Sequence, residues 1–553
     1  MKIPFVDIFA GPGGLGEGFS SHSDHNNSPV NFKGVLSIEK DPVAAKTLTL
    51  RNWIHQFDKQ DIPDSYYNAL RDPEKFNEVH DLTSWKAAQE IVWNAELGKV
   101  CNTELHSRLQ KVTRNAKHWV LLGGPPCQAY SLVGRARMTG IGKDADDENA
   151  DEIGKARRDK FYADHRHILY KEYLRIVAIH QPSVFVMENV KGILSSKIPG
   201  KDGKSERIFP KIREDLTNPR RALDGDETFK SLGEFHPSKN HSYKLYSFVE
   251  SLESDNSKDR DFIIRCEDYG VPQCRHRVII LGVREDISVV PSRLESSPQA
   301  TVRDVLEGIP KVRSGVSKGE DNPASWLTAI RENIPHDAIE HLNRVGLQKR
   351  IDKLISRKRT SYSRGKKFYQ NDAKTLSKCS PQVLNWIHDS KLGGVVQHET
   401  RGHMPSDLGR YLFASIVTEK DGITPKLQSW PKGLLPKHKN VTFNKDGSTK
   451  VSGFHDRFRV QAWGRPSTTI TSHISKDGHY YIHPDPNQCR SMTVREAARL
   501  QTFPDNYYFC GNRTQQYHQV GNAVPPYLAV QLADVVAGIF LNKNFSKRKN
   551  RPK

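Results

Sequence analysis

The run Leu121-Leu122-Gly123-Gly124-Pro125-Pro126-Cys127-Gln128 places a thiol directly behind a rigid turn. Proline fixes φ and glycine permits positive φ, so the apolar stretch from His118 to Leu122 must stop sharply there. A thiol off the carboxyl end of a strand stands where open α/β sheets carry out their chemistry, and could act as a nucleophile. A free cysteine is also commonly a small buried hydrophobe, and the turn by itself leaves both readings open. Glu188-Asn189-Val190 closes a second apolar run, Ser183 to Met187. A carboxylate in that position is either a structural ion pair or a general acid of raised pKa facing the same cleft as Cys127. Gln273-Cys274-Arg275-His276-Arg277 precedes a strand, so Arg275 and Arg277 project to one face, where two guanidiniums can clamp a carboxylate, a phosphate or a carbonyl oxygen.

A further constellation is suited to a cofactor. Gly11-x-Gly13-x-x-Gly16 follows the strand-like Phe5 to Ala10 and should open a helix whose backbone N–H groups form an anion nest. Glu39 ends the next apolar run, Phe32 to Ile38, at the spacing where a carboxylate accepts from ribose hydroxyls. Together they predict a nucleoside-type cofactor that need not be a dinucleotide. Asp81-Leu82 falls where a third strand end would meet an adenine ring. Gln519 to Pro526 reads as a turn leading into the last helix.

The elements that must position these groups follow from the pattern. Strand-like runs at Trp119 to Leu122, Val184 to Met187 and Arg277 to Val283 alternate with helical segments at Pro42 to Leu50 and His167 to Ala178. That alternation implies βαβ units and an α/β fold with a doubly wound, mostly parallel sheet. From about Arg284 to Gln488 the rhythm is lost in Ser, Lys, Pro and Gly, which predicts a second, smaller and irregular domain. Order returns at Thr493, which with Glu496 makes a capping box for a helix that should stop before Pro504. The expected division is 1–285, 286–488 and 489–553, the last returning to the first domain and ending in a basic tail.

Composition bounds the partners. A net charge of +20 over 553 residues points to a polyanion. Arg357, Lys358, Arg359, Arg364, Lys366 and Lys367 cluster with Tyr362, Phe368 and Tyr369, which suits phosphate contact and base stacking. The basic tail from Lys543 reads as a solvated, disordered end. Seven scattered cysteines without a CxxC pair argue against a zinc site or a disulfide framework and for a reducing compartment. Leu528 to Leu541 is interrupted by Gln531 and Asp534, so it reads as a packed helix and not a membrane span. Met1 to Ala10 is too short and too acidic for a secretory signal. His398 and His403 are expected in loop or phosphate roles, with no metal.

Six blocks in order carry a resemblance: Asp7-x-Phe9-x-Gly11-x-Gly13-Gly14, Pro125-Pro126-Cys127-Gln128, Glu188-Asn189-Val190, Gln273-x-Arg275-x-Arg277, Arg495 to Gln501, and Gly521-Asn522-Ala523-Val524-Pro525. From residue 5 to about 530 the chain resembles the cytosine-5 DNA methyltransferase family, in its stand-alone bacterial restriction-modification form. The resemblance implies the S-adenosylmethionine-dependent fold, with 286–488 as target-recognition domain. It implies that Cys127 adds to carbon 6 of a flipped-out cytosine while Glu188 protonates or hydrogen-bonds N3. Arg277 would hold the base carbonyl and Arg275 would support the loop. S-adenosyl-L-methionine would be bound by Phe9, Gly11, Gly13, Gly14, Leu15, Glu39, Asp81, Leu82, Pro125, Asn522 and Val524.

The resemblance further implies a cytoplasmic bacterial monomer acting on double-stranded DNA, with a restriction endonuclease as candidate partner. Ala129 to Arg158, with glycines at 134, 140, 142 and 154, reads as the loop that closes over DNA; its acidic core, Asp144 to Glu152, departs from the shortest family members. Three rival readings are an RNA (tRNA) cytosine-5 methyltransferase, an inactive DNA-binding regulator and an exocyclic-amino methyltransferase. The long recognition region, the retained Cys127 and Glu188, and a cysteine after Pro125-Pro126 weigh against them respectively.

Overall fold

The computed structural model describes residues 1–80, 83–126, 165–199, 205–250, 257–370 and 381–542. Asp81, Leu82, Cys127, the loop 129–158 and the basic tail lie outside the described residues. Strands β1 (Lys2–Ile8), β2 (Asn31–Glu39), β3 (Val92–Asn94), β4 (Val120–Gly123), β5 (Val184–Val190), β6 (Tyr243–Tyr246) and β7 (His276–Arg284) stand in the order 3-2-1-4-5-7-6. A short strand, Ile263–Arg265, also pairs with β7. The first five are mutually parallel, and β7 runs antiparallel between β5 and β6. This is the doubly wound, mostly parallel sheet that the alternation predicts.

Strand residues divide between two cores because successive side chains point to opposite faces. Ile3, Phe5, Val120, Leu122, Val184 and Val186 face one core, which holds Phe19 and the last helix. Val6, Ile8, Leu121, Phe185 and Met187 face the other, filled by Leu105, Leu109 and Leu174. Burial on both faces explains why these strands read as continuous apolar runs rather than alternating ones. The covering helices are α1 (Gly14–Ser20), α2 (Pro42–Ile54), α3 (Asn102–Thr113) and α4 (His165–His180).

The expectation of an irregular region after Arg284 is corrected. Helices α5 (Pro323–Glu332), α6 (His336–Arg344), α7 (Gln348–Ile355) and the 17-residue α8 (Pro405–Asp421) build a third core around Trp326, Ile330, Tyr411, Leu412 and Phe413. Their periodicity is hidden because they are short and punctuated. Asn322 and Pro323 start α5, Pro335 precedes α6, and Pro405 and Gly422 bound α8. Within the same stretch Leu294 to Ile309, Trp386 and Ile470 pack into the sheet's own core, so the chain crosses between cores several times.

Helices α9 (Val494–Leu500), α10 (Arg513–Asn522) and α11 (Pro526–Leu541) then return to the sheet. Thr493 Oγ1 accepts from Glu496 N at 3.3 Å and Glu496 Oε2 accepts from Thr493 N at 2.8 Å, the capping box read from sequence. The apolar α11 is a core helix: a Cβ on Gly18 of α1 would lie 2.4 Å from Ala529 Cβ, so the two helices touch backbone to backbone.

Candidate active site

The carboxyl ends of β1, β2, β4 and β5 open into one cavity of about 350 Å³. Phe9, Gly11, Glu39, Pro125, Glu188 and Asn522 all line it, so residues spread over five hundred positions meet there. Phe9 sits at φ 57, a left-handed conformation that costs a bulky residue energy and clusters at functional sites.

The glycine loop does not form the expected anion nest. Gly11 N donates to Glu39 Oε2 and Asp41 N to Glu39 Oε1, each at 2.8 Å. The Gly16 N–H is taken by Asp7, and Gly13 N donates to Ala10 O at 3.0 Å. N–H groups already engaged by carboxylates cannot cradle a phosphate, which disfavours a dinucleotide and suits a cationic ligand. Each Glu39 oxygen keeps a further lone pair for ribose hydroxyls. Burial raises the Glu39 pKa, opposed by the Asp41 and Gly11 N–H groups. Burial, with the Glu39 charge adding to it, pushes the Asp7 carboxyl up to about 7, and its Oδ2 meets no partner.

Gly13 needs its φ of 99, and a Cβ on Gly14 would lie 2.2 Å from Val524 O. Leu15 is buried in the core. Gly13, Gly14, Leu15 and Val524 therefore seat the loop against the carboxyl-terminal helices, while Phe9, Gly11, Glu39, Pro125 and Asn522 face the cavity. In the third strand position stands β3, and Ala95, Glu96 and Leu97 after it line the cavity.

The polar half of the cavity is built by register. Gly123 pairs with Met187 across parallel β4 and β5, so the Gly124-Pro125-Pro126 turn lies beside Glu188. Asn189 Nδ2 donates to Pro125 O at 3.0 Å and ties the turn to the strand end. Cys127 follows Pro126 by one peptide bond. On the other side Ile279 of β7 is the register partner of Glu188, which brings Arg277 alongside. Arg277 Nε stands 2.8 Å from Glu188 Oε1 but out of line for a hydrogen bond, so the attraction is coulombic. Glu188 is thus ion-paired, and it lines the cavity.

Arg275 goes elsewhere. It is 1 % exposed and donates to Ile470 O at 2.7 Å and Gly521 O at 3.2 Å. Burial, then Arg277, lowers its pKa to about 9. Together with Gln273, whose Oε1 accepts from Ile470 N at 2.7 Å, it staples the segment around Ile470 and the start of the last turn to the sheet. Its place is structural support behind Arg277, not contact with the cavity.

Sequence reasoning missed Asp41, Glu96, Leu97, Gln515, His518 and Gln519, all lining the cavity. Gln519 to Asn522, read from sequence as a turn, complete α10, and Gln515, His518, Gln519 and Asn522 lie at helical spacing on it; the packing of that helix brings them to the cavity. His398 and His403 prove to be buried staples. His398 bonds Thr493 Oγ1 at 2.9 Å and Pro310 O at 2.7 Å, and burial lowers its pKa to about 4; Ser491 N donates to His403 Nε2 at 3.2 Å. No metal-holding cluster occurs among the described residues.

A doubly wound sheet with a carboxylate-filled glycine loop and a Pro-Pro turn beside a Glu–Arg pair is the setting, and the family match makes it that of a methyltransferase. The C-5 cytosine-specific DNA methylase model matches residues 74–214 and 237–537, and the chain belongs to that family. Type II methyltransferase M.Bpa9945I of Bacillus paralicheniformis is 30% identical, covering 97% of this chain and 98% of its own. M.DdeI of Desulfomicrobium norvegicum is 23% identical over 99% of this chain and 91% of its own, and M1.HphI of Haemophilus parahaemolyticus 23% over 98% and 89%. The reaction is methyl transfer to carbon 5 of cytosine in DNA.

Proposed function

We propose that the chain is the modification methyltransferase of a restriction-modification system, using Cys127 as nucleophile and Glu188 as the group that engages cytosine N3. The carrying observation is the Glu188–Arg277 pair at 2.8 Å on the cavity rim, tied through Asn189 to the turn that precedes Cys127. Cytosine carbon 5 is a poor nucleophile. Addition of the Cys127 thiolate to carbon 6, with N3 protonated or hydrogen-bonded by Glu188, makes the ring enamine-like and carbon 5 reactive. Once carbon 5 has taken the methyl group, loss of its proton to a base and elimination of the thiol from carbon 6 restore aromaticity. The reacting carbon lies within the base stack, so the cytosine must be flipped out. Arg277, beside Glu188, would hold the base carbonyl.

The residues present fit S-adenosylmethionine: the cavity offers the ribose-competent Glu39 beside Phe9, Pro125 and Asn522, in a loop whose N–H groups are turned to a carboxylate rather than to a phosphate. Phe9 would pack on adenine, Asp81 and Leu82 would meet its edge, and Gly11, Pro125 and Asn522 would bound the remainder. When bound, the cofactor supplies an electrophilic methyl group on a sulfonium. The region 286–488 is proposed to read the DNA sequence, with the protein acting as a monomer in the bacterial cytoplasm beside a cognate endonuclease.

The test is base-resolution cytosine methylation of an unmethylated plasmid after incubation with the protein and S-adenosylmethionine. Methylation of one cytosine in a single short motif, abolished in Cys127→Ala with cofactor binding retained, is the expected result. Substantial methylation by Cys127→Ala would overturn the mechanism.

A further inference from the structure

A second, smaller pocket lies next to the active site and is assigned to nothing so far. It has a volume of about 270 Å³ and its walls include Phe454, Tyr480, His438 and His473, with Asn440 and Arg457 at its polar edge. The hairpin of Val441–Phe443 and Thr449–Val451 supplies one wall and the 3-10 turn Ser472–Ser475 another. That same turn abuts the active site. Ser475 Oγ and His518 Nε2 are 2.8 Å apart, and His518 lines the cofactor cavity; a Cβ on Gly521 would lie 2.2 Å from Ser472 N. One turn therefore gives His473 to this pocket and meets α10 of the active site on its other side.

Three features point to what it holds. Phe454 is 65% exposed and, with Phe443, is one of the two exposed phenylalanines among the described residues. Its φ is 52, a conformation that costs a bulky side chain energy and keeps the ring turned out of the core. Arg457 and Asp477 both line the pocket and pair with each other, and Lys437, Lys439, Lys450 and Lys476, next in sequence to lining residues or to their turn, have no carboxylate partner among the described residues. Aromatic rings framed by unpaired cations are the means by which proteins stack a base and hold its phosphates. A concave pocket cannot engage a base that remains stacked in a duplex.

We propose that this pocket receives one base of the DNA substrate, other than the target cytosine, displaced from the stack beside the methylated site. Phe454 and Tyr480 provide the stacking surfaces, and Asn440 and Arg457 meet the base edge. The proposal rests on the reading of the chain as a DNA-sequence-reading methyltransferase.

The experiment uses the full-length protein and synthetic duplexes of the methylated site, with an abasic residue placed at each non-target position in turn. Wild type should bind one abasic duplex at least tenfold more weakly than the intact one, about 1.4 kcal/mol. Phe454→Ala should bind the intact duplex as weakly as wild type binds that abasic duplex, and should no longer distinguish the two. Phe454→Trp should restore the difference, and Phe443→Ala, away from the pocket walls, should leave it intact, with melting temperatures equal throughout. The same abasic profile in Phe454→Ala as in wild type overturns the proposal. Failure of wild type to bind the intact duplex overturns the DNA reading itself and the pocket assignment with it.

Discussion

Glu188 is confined from two directions, by Arg277 on one side and by the absence of a side chain at Gly124 on the other. A Cβ on Gly124 would lie 2.9 Å from Glu188 Oε2, so Gly124→Ala must move the carboxylate. A shift of about 1 Å at a reacting group costs on the order of a hundredfold in rate, and kcat of Gly124→Ala should fall by about that factor with cofactor affinity unchanged. Glu188→Gln removes the carboxyl proposed to engage N3 and should lower methyl transfer by roughly a hundred- to ten-thousandfold, read from radiolabelled methyl incorporation. Asp7 gives a pH-dependent prediction. Its folded pKa of about 7 lies above the 3.8 of a free aspartate, so between those pH values the native state holds a proton that the unfolded chain has released. Stability from this group is present at low pH and lost as pH rises through about 7. Asp7→Asn should therefore raise the melting temperature at pH 8 and change it little at pH 4; an equal effect at both would refute the assignment.

Elements act here chiefly through close approach. The glycine loop can reach the cavity because α1 lies against α11 at Gly18, and against the Ala523-Val524 turn before it at Gly14, without side chains between them. Gly18→Ala should overpack this contact and destabilise by about 1–3 kcal/mol, seen as a lower urea midpoint with no change in the methylated motif. Strand register does the corresponding work on the polar side. The adjacent parallel β4 and β5 deliver the turn before Cys127 and Glu188 to one place, and the antiparallel β7 brings Arg277 back from the other direction.

Buried ion pairs fix the cores, one joining α1 to α2 and two lying within the segment around α9. Glu17 meets Arg51 at 2.5 Å, Glu496 meets Arg490 at 2.6 Å, and Asp505 meets Arg499 at 2.8 Å. Burial by itself would raise the Glu17 pKa, but Arg51 and His55 outweigh it and hold it at about 2; burial is likewise outweighed at Glu496 by Arg490 and His483. These glutamates have folded pKa values below 4.5, so their stabilisation is present above that pH and lost as pH falls. Thermal stability should drop steeply between pH 4.5 and 2, and Glu17→Gln should weaken that dependence while lowering stability at neutral pH by about 3–5 kcal/mol, the cost of leaving a buried Arg51 unpaired. At the same scale, a net charge of +20 predicts that DNA affinity falls log-linearly with salt, with a slope of about −0.9 per phosphate contacted. An affinity independent of salt between 50 and 200 mM would contradict that role for the charge.

The sequence alone determined β1, β2, β4, β5 and β7, the helix that Thr493 caps and the Gly124-Pro125-Pro126 turn, because each is encoded in neighbouring residues: an apolar run, a cap, a proline pair; the short β3 and β6 carry no such local signal. It also determined the reaction, since the six blocks keep their order along the chain. The tertiary structure decided where each polar group goes. Arg275 and Arg277 are indistinguishable by spacing, yet only Arg277 reaches Glu188, because Ile470 and Gly521 present carbonyls to the other. The Gly11 N–H could have served an anion, and it is the fold of β2 beside β1 that commits it to Glu39. The four helices of the third core were hidden by the prolines and glycines that end them. Gln515, His518 and Gln519 belong to the cavity only because α10 packs against it, a long-range contact that no local pattern specifies.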